Sequence, residues 1–374
     1  MPRLLMYFPE NDLALASGHA AYTPPPAALA LHAAGEALPL WMASAGDRFV
    51  CTGISSRWLD RMRATFDIGD VDVYNHHDSS LEACPWGWSA ASRRALIDAG
   101  YPASQLPSDT TLRSLRELSH RRTAARLAEH VRDMLPFAVS EAATEACDMD
   151  AVEAYLSTRQ AVIAKAPWSC RGRGLVRSRN MPVSTFRQQV AGIIRRQGSV
   201  MLEPELDKIM DFALLFEADG QGEIEYRGIS VFDTNAHGGY TGNIIAEQHK
   251  LIELVGNAAG TQKLAMVTEA VQKTLPRLIS DYRGPLGVDM LVTADGTIDA
   301  AVEMNLRYTM GFVALGVSRY LAPGSRGTLC VVPRPDRQAL PATIESHRIV
   351  TGELDLTPHN SMFAFRATVS CPKR

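Results

Sequence analysis

The 374-residue chain is 46% hydrophobic and 21% charged, with a formal net charge of −3 and a pI near 6.4. This is a globular composition, sized for about two or three domains, with no basic stripe that would make nucleic acid the default partner. Six scattered cysteines form neither a Cys-x-x-Cys pair nor zinc-ligand spacing with histidine, which fits a reduced setting. No apolar run reaches the ~18 residues of a membrane span. The opening "MPRLLMYFPEND" meets acidic residues too early for a signal peptide. A soluble, cytoplasmic protein that binds neither membrane nor nucleic acid is expected.

In chain order, "RLLMYF" (3–8) reads as a buried strand and "PPPAALALHAAG" (24–35) as a helix with Pro in its first turn and Gly at its end. "ALPLWMA" and "DVDVYN" are further short apolar runs, and "WSAASRRALIDAGYP" again ends in Gly then Pro. Alternating strands and helices predict an open α/β domain over 1–107. Leu112, Leu115, Leu118, Leu127, Val131 and Met134 then recur at roughly helical spacing and predict one long helix. Phe186, Val190, Ile193 and Ile194 mark one face of a helix that stops near Gly198. "SVMLEPEL" and the pair around "DGQG" read as strands. "NAHGGYTGN" (235–243) reads as a long polar loop, and a helix is predicted over 261–282.

The segment "LGVDMLVTADGTIDAAVEMNLR" predicts a hairpin turned at Asp-Gly. A three-residue loop at 295–297 puts Asp289 opposite Glu303; a two-residue loop shifts that register by one. Glu303, Asn305 and Arg307 share a face, because side chains alternate along a strand. Two facing carboxylates repel, and a divalent cation would relieve them. Two carboxylates plus an amide oxygen suit magnesium. The same spacing also suits a solvent-exposed strand face.

Upstream, "AVIAKAPWSCRGRGLV" (161–176) ends an apolar strand in Lys165 and continues into a turn with Ser169, Arg171, Gly172, Arg173 and Gly174. It is not a P-loop, since Gly-x-x-x-x-Gly-Lys-Ser/Thr is absent. It reads either as a phosphate cradle or as a basic hairpin tip.

Together these motifs resemble the ATP-grasp superfamily. "GVDMLV…AAVEMNLR" is similar to its metal-binding strands, "AVIAKAPWSCRGRGL" to its lysine strand and phosphate loop, and "VMLEPEL" to its adenine hinge. "PENDLAL", "PWGWS" and "YTGN" look like an ATP-grasp subgroup with no settled substrate. The resemblance covers about 110–320. It implies an α/β (α+β) architecture: a pre-ATP-grasp domain (1–107), a two-lobed ATP-grasp domain (108–327, hinge near 203–206) and a C-terminal extension (328–374). It implies an ADP-forming ligase: ATP phosphorylates a small-molecule or peptide carboxylate, and an amine or similar nucleophile attacks the acyl phosphate. A small-molecule kinase and a non-catalytic ATP-binding regulator are the alternatives. Homodimerisation stays open.

The resemblance also implies roles for residues. Lys165, Ser169, Gly172 and Gly174 would hold phosphates, Glu203 and Leu206 adenine, and Asp211 the ribose. Arg121, with Arg122 as alternative, stands where the family usually has lysine. Asp289, Glu303 and Asn305 would hold Mg2+, with Mn2+ as an alternative, while Arg307 and Arg173 would act on the transferred phosphoryl group. Cys170 is expected to be incidental. Asn11, Asp12, His237, Tyr240 and Asn243 are substrate candidates, each with a helix cap or plain loop residue as the competing reading. Trp86 and Trp88 read as core.

Overall fold

The computed structural model describes residues 1–75, 80–169, 174–235, 238–333, 341–358 and 362–370. The chain forms two compact units. The first comprises Met1–Arg113, Thr241–Leu251 and Arg307–Arg374, and the second Ser114–Tyr240 and Ile252–Leu306. The segments 1–107 and 328–374 therefore both lie in the first unit.

In chain order the strands begin with β1 (Arg3–Met6), β2 (Arg48–Val50), β3 (Asp72–Val73), β4 (Glu82–Pro85), β5 (Thr144–Ala146) and β6 (Val162–Lys165). There follow β7 (Leu175–Arg177), β8 (Val200–Pro204), β9 (Lys208–Asp219), β10 (Ile224–Thr234), β11 (Tyr240–Ile245) and β12 (Arg283–Thr293). The last are β13 (Ile298–Asn305), β14 (Arg326–Pro333), β15 (Thr343–Glu345), β16 (Arg348–Asp355) and β17 (Phe363–Ser370).

In the first unit, β3, β2, β1 and β4 form a parallel sheet in that order. The helices Asn11–Ser17, Pro26–Gly35, Ser56–Phe66 and Ala90–Asp98 intervene, as the alternating pattern predicts. Parallel neighbours require such crossovers. The run "LPLW" forms a short 3-10 helix, Leu38–Trp41, because Pro39 removes an amide donor that a sheet would need. The same unit contains β11, β14, β17, β16 and β15, hydrogen-bonded in that order. Tyr240 and Asn243, expected in a loop, thus lie in a strand, and Asn243 is buried.

In the second unit, β5, β8, β6 and β7 form an antiparallel sheet. Its apolar side packs against the helices Met149–Leu156 and Val183–Gln197 through Val152, Phe186, Val190 and Ile193. The predicted stop at Gly198 is observed, with φ of 86°, a left-handed conformation that favours glycine. The remaining strands run β13, β12, β9, β10, all antiparallel.

The predicted long helix is two helices, Asp109–Leu118 and Arg121–Met134. His120 has an extended backbone, and its ring accepts a hydrogen bond from the Arg122 N–H, so it caps the second helix instead of continuing the first. Helical periodicity survives such a break, which is why spacing alone does not reveal it.

Candidate functional site

The register of the second unit sets three polar rows across its four-stranded part. Glu303 pairs with Asp289, and Asp289 with Ala213. Asn305 pairs with Gly287, and Asp299 with Leu291, which pairs with Asp211. Cross-strand partners share a face, so Asp211, Asp289, Asp299, Glu303 and Asn305 are carried on one side. The expected Asp289–Glu303 pairing is present but arises differently. Ile298 pairs with Val292, and a bulge of two extra residues on β13 then restores the register at Asp289. Bulges re-aim side chains in this way.

Arg121 ties three segments together. Its Nη2 lies 2.9 Å from Glu303 Oε1 and donates to Ser169 Oγ at 3.1 Å. Its Nε donates to the Ala166 carbonyl at 3.1 Å, and its own N–H donates to the Pro167 carbonyl at 3.2 Å. Arg122 instead pairs with Glu145 at 3.0 Å. The repulsion between facing carboxylates is therefore already eased by protein groups: Arg121 reaches Glu303, and Asn305 Nδ2 donates to Asp289 Oδ2 at 3.0 Å.

Lys165 is buried and forms an ion pair with Glu203. The geometry follows from the ladder: Glu203 pairs with Ile163, two residues from Lys165 on the same face. After Glu203 the main chain leaves few donors. Pro204 has none, and the Glu205 N–H donates to Ala161 O at 3.1 Å. The Leu206 carbonyl accepts from the Lys208 N–H at 3.0 Å, while the Leu206 N–H has no partner among the described residues. Asp211 accepts from Lys208 Nζ at 2.5 Å and from Thr234 Oγ1 at 2.8 Å.

Ser169 and Gly174 frame the segment after β6. Gly174 has φ of 74°, and a Cβ there would lie 2.8 Å from the Ala166 Cβ, so glycine is required. Gly172, Arg173 and His237 lie outside the described residues, as do Arg171 and Cys170. Arg307 belongs to the first unit, where it pairs with Asp12 at 2.7 Å.

Two groups were missed from sequence. Burial, and then the charge of Glu203, push the Asp299 carboxyl up to about 7, with Lys165 opposing. Its signal was available, because Asp299 lies four residues before Glu303 and so keeps the two-residue alternation. The buried His120 packs edge-on to Trp168, with centroids 4.7 Å apart. Burial, and then Arg122, lower its pKa to about 4. Trp168 is held further by Arg116 stacked at 3.9 Å and by reciprocal bonds with Gln197. No sequence spacing announces that cluster.

Among the described residues, no group of three or more His, Cys, Asp or Glu is arranged to hold a metal. Magnesium does not need one, since it keeps waters and phosphate oxygens and takes one or two carboxylates. Asp289, Glu303 and Asn305 fit that donor set. No described helix is long and apolar enough to cross a membrane.

No protein-family model and no curated protein matches the sequence. Solved structures do. Biotin carboxylase of Campylobacter jejuni, solved as a β-γ-ATP complex, is 12% identical with a TM-score of 0.54, over 99% of this chain and 87% of that one. The biotin carboxylase domain of the Hydrogenobacter thermophilus 2-oxoglutarate carboxylase was solved as a dimer with MgADP, ADP and bicarbonate. It is 10% identical with a TM-score of 0.51, over 99% of this chain and 86% of that one. The parallel N-terminal sheet, the antiparallel sheets after it and these likenesses across the whole chain show that the protein has the ATP-grasp fold.

Proposed function

We propose that the second unit binds Mg-ATP and that the protein is an ADP-forming enzyme that activates a carboxylate as an acyl phosphate for attack by an amine or similar nucleophile. The observation that carries this reading is the convergence on Arg121, which touches Glu303, Ser169 and the chain leaving Lys165. A helix start, the segment after β6 and β13 are thereby joined, bringing cationic groups and carboxylates to one place that a phosphate chain and its metal would share.

Each residue has a physical task in this reading. Adenine would take the Leu206 N–H. Lys165 would place a point charge on the inner phosphates while Glu203 fixes its direction. Arg121 would fork onto phosphate oxygens, held in line by Ser169 Oγ. Asp211, already accepting from Thr234, would accept a ribose hydroxyl. Asp289, Glu303 and Asn305 would hold magnesium, which supplies charge neutralisation on the transferred phosphoryl group. None of these tasks calls for a covalent nucleophile on the protein.

Thermal melting with ATP, with and without magnesium, tests the reading. At a ligand concentration 100 times Kd the expected stabilisation is about 2.7 kcal/mol. It should be larger with magnesium, and Glu303→Gln should remove the magnesium increment while keeping the nucleotide effect. An unchanged melting temperature at saturating Mg-ATP would overturn the reading.

A further inference from the structure

In the second unit, the start of the helix Arg121–Met134 and the segment after β6 are locked together by two buried rings. His120 is 1% exposed, Trp168 is 7% exposed, and the rings meet edge to face. The first three amides of the helix all have acceptors. The Thr123 N–H donates to the His120 carbonyl at 2.9 Å, and the Arg122 N–H donates to His120 Nδ1 at 3.0 Å. The Arg121 N–H donates across to the Pro167 carbonyl at 3.2 Å. Helix starts leave such amides orphaned unless a partner is supplied. Burial, and then Arg122, keep the His120 ring neutral, so it retains a lone pair with which to accept. Trp168 is fixed at both ends. Its indole N–H donates to the Arg116 carbonyl at 2.9 Å, and its backbone N–H and carbonyl bond the Gln197 amide at 3.0 and 3.1 Å.

We propose that His120 and Trp168 are positioning residues for nucleotide binding, which act by holding the Arg121 guanidinium in the orientation that receives phosphate. Arg121 sits between them in the bonding pattern. Its backbone is fixed by His120 on one side and by Pro167 on the other. Its side chain is held by residues that flank Trp168: Nε donates to Ala166 O, and Nη2 donates to Ser169 Oγ and reaches Glu303. The remaining nitrogen, Nη1, has no hydrogen-bond partner among the described residues and is left to meet a phosphate oxygen. Ordering a long side chain before the ligand arrives removes a cost that binding would otherwise bear. Where function depends on placement, a shift of about 1 Å can lower a rate about 100-fold. A ring that caps the helix and a second ring that anchors the facing segment limit that shift from both sides. The proposal rests on the nucleotide reading and deepens it by naming what aims its arginine.

The test is calorimetric titration of the full chain with Mg-ATP in two backgrounds, wild type and Arg121→Lys, with cooperative melting checked for every variant. His120→Ala should weaken binding about fivefold in the wild-type background, the size expected when one long side chain must be ordered by the ligand. In the Arg121→Lys background, where the guanidinium is gone, the same change should cost less than about twofold. His120→Asn, which keeps an acceptor for the Arg122 N–H, should bind within about twofold of the wild type. If His120→Ala does not fold, Trp168→Phe, which keeps a ring against His120 but loses the bond to the Arg116 carbonyl, should show the same dependence on Arg121. Unchanged affinity in the folded variant, or an equal loss in both backgrounds, would overturn the proposal, because a residue that only supports the fold weakens binding whatever stands at position 121. Either result, with Mg-ATP still bound by the wild type, would leave the nucleotide reading intact. No binding of Mg-ATP by the wild type would overturn both.

Discussion

The Arg121 guanidinium lies 2.9 Å from the Glu303 carboxylate. The two side chains are 11% and 26% exposed, so the pair is screened from water more than a surface pair would be. Arg121→Ala would leave Glu303 facing Asp289 without its cation and Ser169 without its donor. A stability loss on the order of 2 kcal/mol is expected. Arg121→Lys should recover part of it, because one ammonium cannot reach all the partners of the fork. Denaturant melts of the wild type and the two variants measure the difference, and full recovery of wild-type stability by Arg121→Lys would show that the fork geometry is immaterial.

His120 should make the protein acid-sensitive in a defined window. Its pKa in the folded protein is lowered to about 4, against an ordinary 6.5, first by burial and then by Arg122. Between those values the unfolded chain binds a proton that the native state refuses. Stability is therefore intact above about pH 6.5 and is lost as pH falls toward 4, by up to about 3 kcal/mol. His120→Asn keeps a capping acceptor for the Arg122 N–H and removes the titration. Its stability should be lower at pH 7.5, through lost packing on Trp168, and flatter between pH 6.5 and 4. An unchanged slope in urea melts across that range would rule out His120 as the source.

Asp299 should act in the opposite direction. Its folded pKa is raised to about 7 from an ordinary 3.8. The native state thus keeps a proton that the unfolded chain has lost. The associated stability is complete below pH 3.8 and disappears as pH rises through 7. Asp299→Asn is neutral at every pH and should raise the melting temperature, more at pH 8 than at pH 5. An equal effect at both values would mean that Asp299 is already ionised at pH 5.

Much of this was legible in the sequence because it depends on alternation and turn chemistry. The Asp-Gly turn announces the hairpin and the two-residue period puts Asp289 and Glu303 on one face, and the Lys165 strand stands out by its apolar run. The bulge on β13 was not legible, because a two-residue insertion preserves which face each side chain takes. Nor was the break at His120, where a ring caps a helix that the leucine spacing would have continued. The strand at Tyr240–Ile245 was hidden by its glycine and polar residues, which read as a loop until its pairing with β14 is seen. The Asp12–Arg307 pair joins positions 295 residues apart, which no local pattern can connect.

Product analysis tests the central claim most directly. The wild-type protein is incubated with ATP, magnesium, hydroxylamine and each of the twenty L-amino acids or other candidate acids, and nucleotide and hydroxamate are assayed together. Lys165 would engage the inner phosphates, while Asp289, Glu303 and Asn305 would hold magnesium over the outer ones, so attack falls on the γ-phosphorus. The account predicts ADP and hydroxamate in equal amounts, both abolished by Glu303→Gln. Release of AMP and pyrophosphate would contradict it, as would ADP accompanied by a stable phosphorylated alcohol and no hydroxamate.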